Sequence, residues 1–326
     1  MTLASFPKSI EPASGSASPA IAVDSADWPG IREWESQALA PDSLRRGGRY
    51  GAFEAFLGKP RGVTGLILLL IVLGMALIAP LVFPGDPLES VAQPLLTPGQ
   101  DLAHPLGTDS LGRDIASALF HGASASLGVG FAAAAIGTAA GVLIGALAGY
   151  FDGWVDAALM RLTELFQTTP SFLLIVVLVA LLQPSLTIEA VAIGLTSWQP
   201  LARMVRAEFR QLLHSDFVLA ARATGLTDLR IIVQEILPNV TPTIVVMASF
   251  KVATAIFLES SLAFLGLGDP NRASWGGMIE EGRDYIRSDG WLVFLPGLAI
   301  VAAVLSLNLI GDALNEALNP RLRRLK

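Results

Sequence analysis

The sequence predicts an all-α, polytopic membrane protein with six transmembrane helices. Three observations predict it. Of the 326 residues, 52% are hydrophobic and only 15% are charged, and the apolar residues gather into runs of membrane-spanning length. Average soluble domains carry about 25% charged residues, so a chain this apolar buries its surface in lipid rather than in one water-facing core. The runs fall near 63–83, 125–150, 170–186, 188–207, 241–267 and 291–309. A helix needs ~20 residues to cross a ~30 Å hydrocarbon layer. The third run is the weakest: its strongly apolar part is short, and Gln183 and Pro184 break it before the fourth begins.

Residues 1–60 precede the first run and are rich in Pro, Ser, Ala and Gly. They contain no apolar stretch of the kind a signal peptide needs, and read as a largely disordered tail. Residues 61–83 then act as an uncleaved anchor. With the N-terminus inside, the outside loops hold only Arg113, Arg272, Arg283 and Arg287. All other Lys and Arg outside the spans fall on the inner side, as the positive-inside rule requires for an even number of spans. The organisation that follows is a cytoplasmic tail (1–60), a first helix (61–83), an outer loop (84–115), a core of five helices (116–315) and a cytoplasmic C-terminal tail (316–326). The stretch 203–240 becomes a long cytoplasmic loop.

The second span carries Gly137, Gly141, Gly145 and Gly149, a glycine at every fourth position. These share one helix face, and in lipid small residues let two backbones approach closely. The stripe is read as tight packing within the bundle, with a pore-lining face as the sharper alternative. The fifth span carries Lys251 and Glu259. A charge at the bilayer centre costs ~2.5–3.5 kcal/mol on insertion scales, so both must face protein or water. Eight residues apart, they are separated by ~12 Å along the axis, too far to pair directly. Two readings stay open: each is satisfied by a neighbouring helix, or both line a polar translocation path.

The chain shows no recognisable catalytic apparatus. There is no cysteine, which excludes disulfides and thiolate chemistry. The only histidines, His104, His121 and His214, are scattered. No phosphate-binding G-x-x-x-x-G-K-[ST] loop, H-E-x-x-H pair or G-x-S-x-G elbow occurs; Gly58-Lys59-Pro60 has neither the spacing nor the hydroxyl. A net charge of −6 points to no nucleic-acid partner. Energy for active transport must come from a partner or an ion gradient. A gradient-driven transporter using Lys251 and Glu259 is the alternative, although no internal repeat of the kind common in such folds is visible. A membrane-embedded enzyme lacks the convergent side chains it would need.

The cytoplasmic loop predicts a helix over 216–224, a stop at Gly225 in the left-handed conformation, and a second short helix over 227–237 ending at Pro238. Such a unit suits a groove in a soluble partner. Here the chain resembles the permeases of ABC importers, whose EAA motif reads E-A-A-x-x-x-G and continues to a Leu-Pro. Ala220, Ala221 and Gly225 match, as do Ile236, Leu237, Pro238 and Asn239. Leu219 replaces the usual Glu, and Glu235 stands where peptide permeases often have His. HPLGTDSLGRD at 104–114, GYFDGWVDAALMRLTELFQTTPSFLL at 149–174, LESSLAFLGLG at 258–268, SWGGMIEEGRDYI at 274–286 and the closing FLPGLAIVAAVLSLNLIGDALNEALNPR resemble, in that order, the C-type subunits of dipeptide, oligopeptide and nickel importers.

The resemblance implies the type I importer permease fold, in a bacterial inner membrane with both termini cytoplasmic. It implies a pore shared with a second, B-type permease, an external solute-binding protein, and two ATP-binding cassette subunits that bind the EAA loops of the pair, here the loop at 216–239. This chain would bind no cofactor; its partners would use ATP. By carry-over, Ala220 and Ala221 leave room for close docking, Gly225 supplies the turn, and Arg222 adds a surface contact. The substrate class stays open among dipeptides, longer peptides, glutathione-like compounds, nickel chelates and opine-type solutes.

Overall fold

The structure, a computed structural model, describes residue 54 and residues 56–318. Most of the expected N-terminal tail and residues 319–326 of the C-terminal one lie outside the described residues. Within them the regular structure is helical, with only two isolated β-bridges and no strand.

Helix α1 (Pro60–Val82) opens with proline at its first position, where the missing N–H would have no partner anyway. The Lys59 ammonium just before it pairs with Glu316. The chain then runs through an irregular stretch into α2 (Ile115–Tyr150), capped by Asp114, whose carboxylate accepts from Ala116 N at 2.7 Å and Ser117 N at 3.3 Å. The other Asp114 oxygen meets His104 Nδ1 at 2.9 Å. Thr108, fully buried, donates to Gln93 O at 2.5 Å and accepts from Leu96 N at 3.0 Å. Gly107 sits at φ +80°, and a Cβ there would lie 2.0 Å from Leu96 O. The 104–114 block is therefore a self-bonded knot that fixes the start of α2, which explains its density of small and capping residues.

Helices α3 (Trp154–Thr168) and α4 (Ser171–Leu182) meet at an 82° bend. Pro170 causes it: it lacks a donor, and the residue before it, Thr169, takes an extended conformation. Helix α5 (Leu186–Thr196) is followed by α6 (Gln199–Leu212), with Pro200 in the first turn of α6. That proline cannot donate back across Ser197, so the expected fourth span divides there. Among the described residues, four helices are long and apolar enough to cross a membrane, or five if the bent pair is one span. This count does not confirm the expected six, because α5, at about 16 Å, is too short alone and α6 is polar along one side.

Helix α7 (Asp216–Ala223) is short. Helix α8 (Asp228–Leu267) is the longest, and here the sequence-based boundary is wrong. The second loop helix does not end at Pro238. Residues Ile231–Ile236 widen to π geometry, with Leu237 N bonded to Ile232 O. This moves the preceding turn away from the proline ring, which would otherwise clash with the carbonyl four residues back, and the helix runs on into the membrane. Helix α9 (Trp275–Gly282) is capped by Ser274, and α10 (Trp291–Leu318) closes the described chain. Trp275 is fully buried and its Nε1 donates to Leu119 O at 2.9 Å, pinning α9 to α2.

Helix α2 is central, packed on α1, α5, α6 and α8, while α10 covers α1 and α8. One apolar cluster joins α1, α2, α8, α9 and α10 around Leu127, Ile256 and Leu307. A second joins the far end of α2 to α6, α7 and the start of α8 around Val205, Phe209 and Ile236. The 104–114 knot and α9 lie at one end of the bundle and α7 at the other. At the knot end Arg113 Nη1 donates to Glu281 Oε1 at 2.8 Å. Burial pushes the Glu281 carboxyl up from its ordinary range, with the Arg113 charge pulling it down.

Candidate functional site

The loop between α6 and α8 is built as a rigid unit. Val218 and Ala221 point inward from α7 into the cluster of Phe209, Ile231 and Ile236. Phe217, Leu219 and Ala220 are exposed on the other side. The helix closes through a Schellman arrangement: Leu226 N bonds to Ala221 O at 3.2 Å and Gly225 N to Arg222 O at 3.0 Å. Gly225 adopts φ +79°, and Leu226 packs into the same cluster. Arg222 is exposed, with its guanidinium 5.5 Å from the centre of the Tyr150 ring. The Tyr150 hydroxyl donates to Asp228 Oδ1 at 2.5 Å. The last residue of α2 therefore ties together both helices of the loop. Of the two alanines singled out from sequence, Ala221 faces the bundle and Ala220 faces outward.

A β-branched residue at a left-handed position costs more than the roughly 1–2 kcal/mol of an ordinary one. Gly225→Val is expected to loosen this loop while leaving the membrane helices in place. Faster amide exchange confined to 216–230, with unchanged yield of membrane-inserted protein, is the expected measurement. A variant with wild-type exchange would show that the loop does not depend on this turn.

The glycine stripe faces α6 and the turn before it. A Cβ at Gly137 would lie 2.8 Å from Ser197 Oγ, at Gly141 2.9 Å from Trp198 O, at Gly145 2.5 Å from Ala202 O, and at Gly149 2.6 Å from Phe209 Cβ. At the loop end of this seam Arg206 grips Asp156 through two bonds of 2.5 and 2.6 Å, and Arg210 bonds Asp152 at 2.9 Å.

Lys251 and Glu259 enter different surroundings. Lys251 is half-buried and its Nζ donates to the Ser197 carbonyl, with Ser197 Oγ at 3.4 Å. It borders a cavity of about 560 Å³ between α3, α4, α5, α6 and α8. Glu259 is fully buried, its Oε2 accepting from Ser260 at 3.2 Å, with Ser126 and Ser274 beside it. Near it lies Glu189 of α5, also fully buried, with neither carboxyl oxygen hydrogen-bonded among the described residues. Glu189 was missed from sequence, although an ionisable residue inside an apolar run is the signal that would have found it.

Residues 141–324 match the family described as binding-protein-dependent transport system inner membrane component. That is more than half of the chain. The chain belongs to this family. The permease is 39% identical over 277 residues to the di/tripeptide transport system permease protein DppC of Pseudomonas aeruginosa (strain UCBPP-PA14), covering 83% of this chain and 91% of that protein. It is 38% identical over 265 residues to the dipeptide transport system permease protein DppC of Bacillus subtilis (strain 168), covering 80% and 82%. It is 34% identical over 275 residues to the oligopeptide transport system permease protein OppC of the same organism, covering 84% and 90%. A chain of the MetNI methionine ABC transporter in an inward-facing form matches with a TM-score of 0.52 at 19% identity, covering 62% of this chain and 96% of that one. At that identity the likeness shows the fold. The permease is an all-helical, multi-pass inner-membrane protein and a pore-forming subunit of an ABC importer.

Proposed function

We propose that this permease imports short peptides or related small solutes, in a pore shared with a second, different permease chain. The observation that carries the coupling is the loop. A short helix is locked to the bundle by Val218 and Ala221 and offers Phe217, Leu219 and Ala220 to the exterior. Such a helix suits a groove in one of two ATP-binding subunits, the other meeting the partner permease; these subunits bind and hydrolyse the ATP, and the permease itself is non-catalytic and holds no cofactor. The excess of Lys and Arg on that side in the sequence supports a cytoplasmic loop end with both termini cytoplasmic. The opposite end, with the 104–114 knot and α9, then receives solute from an external binding protein. The substrate class follows the names of the relatives and the cavity beside Lys251.

Ala220→Arg tests the docking surface, because the side chain is exposed and Arg is a good helix former. Affinity purification of the detergent-solubilised permease is expected to recover a second permease and ATPase subunits, with ATPase recovery lowered about tenfold or more in the variant. Undiminished recovery would overturn the docking assignment. A homo-oligomer without ATPase would instead favour the gradient-driven transporter.

A further inference from the structure

We infer that Lys251 is a transit site for a carboxylate, so that the cavity beside it receives the carboxylate end of a peptide-like solute on its way through the pore. The inference rests on the importer reading above and deepens it.

Lys251 is the one charged side chain among the described residues that line this cavity. No acidic residue balances it there. Its neighbours on the wall are amides and hydroxyls, Gln167, Thr169, Ser171, Thr196 and Gln199 among them. The ammonium has three donors. The Ser197 carbonyl takes one, and the Ser197 hydroxyl lies at the limit of a second. Ser197 caps the C-terminal end of α5, and the negative end of that helix keeps a cation favourable without neutralising it. Gly137 clears the path: a Cβ there would come within 3.2 Å of Lys251 Nζ.

An uncompensated cation in a low-dielectric wall attracts an anion strongly. The volume falls within the range of small-molecule sites. The surrounding amides and hydroxyls can bond peptide groups, while Phe166, Ile175 and Phe250 give an apolar wall for side chains. A lysine is a point charge on a flexible stem, without the two-pronged geometry by which arginine holds carboxylates. That suits passage, since a transport site must also release what it binds.

The test uses the whole complex with its binding protein in proteoliposomes, and compares uptake of alanyl-alanine with uptake of alanyl-alanine amide. Wild type, Lys251→Gln and Lys251→Arg are measured alongside ATP hydrolysis. The preference of the delivery protein is common to all three, so a change in the ratio of the two uptake rates isolates Lys251. Lys251→Gln is expected to lower the maximal rate for alanyl-alanine about tenfold and to erase the preference over the amide. The concentration of loaded binding protein giving half-maximal rate should not move. Lys251→Arg is expected to keep the preference. An unchanged ratio in Lys251→Gln would overturn the inference and leave the importer reading standing. So would equal loss in both variants with the ratio preserved, which would mark a structural tether to Ser197. Wild-type complex with no ATP-driven uptake of either compound would overturn the short-peptide reading and the inference with it.

Discussion

Gly145→Leu is expected to prevent recovery of folded permease. The Cβ alone would lie 2.5 Å from the Ala202 carbonyl oxygen and 2.8 Å from Val205 Cβ. The first obstacle is backbone, which no rotamer change removes. Overpacking of this kind costs roughly 1–3 kcal/mol when neighbours can shift. Here α2 and α6 must separate, which also loosens the contacts at Gly141 and Gly149 one turn to either side. Without a hydrophobic drive between helices in lipid, close packing is much of what holds such a seam together. Size-exclusion profiles of the detergent-solubilised protein, with thermal unfolding, measure the effect. Gly128→Leu is the control, because nothing lies within 4 Å of a Cβ at Gly128. A Gly145→Leu protein as monodisperse and heat-resistant as this control would show that the seam does not hold the bundle.

Ala221→Glu is expected to release the loop while sparing the membrane helices. The new carboxylate would enter the cluster of Val218, Ile231 and Ile236. An unpaired buried charge costs about 3–5 kcal/mol, more than a helix as short as Asp216–Ala223 gains by being helical. Limited proteolysis should cut between residues 213 and 240 in this variant and not in Ala220→Arg, whose side chain points outward. ATP hydrolysis by the complex should lose its dependence on the binding protein. Protection equal to wild type would mean that the loop is held by something other than its buried face.

The contrast between these adjacent alanines shows what the sequence could carry. The helix, its stop at Gly225 and the glycine period of α2 are local patterns, and all are readable from spacing. Which alanine points inward depends on Val218 reaching Phe209 and Ile236, contacts that no spacing encodes. The same holds for the partner of the stripe, which is α6 rather than another glycine-bearing helix. Breaks caused by Pro170 and Pro200 were visible as prolines, but their consequences were not: a bend of 82° in one case and a divided span in the other. Pro238 misled in the opposite sense, since a π turn absorbs it and α8 continues. The cavity beside Lys251 is assembled from the bends and breaks between four consecutive helices, closed by α8, so only the lysine itself stood out beforehand.

Helix α8 carries both the loop's anchor and the lysine on one length of backbone. From Asp228 to Lys251 is 23 residues, about 35 Å of helix. Two features interrupt its bonding, the wide turn at Ile231–Ile236 and Pro242 inside the helix, which has no N–H to give to the preceding turn. In signalling terms this is a single wire without a relay. The position of Asp228, fixed by Tyr150, is passed to Lys251 along one helix, and noise enters at the turn whose bonding register differs from the rest and at Pro242. A wire without a relay also stores nothing: on the proposed coupling, a loop that returns would bring the lysine back with it, and each cycle would begin without memory of the last.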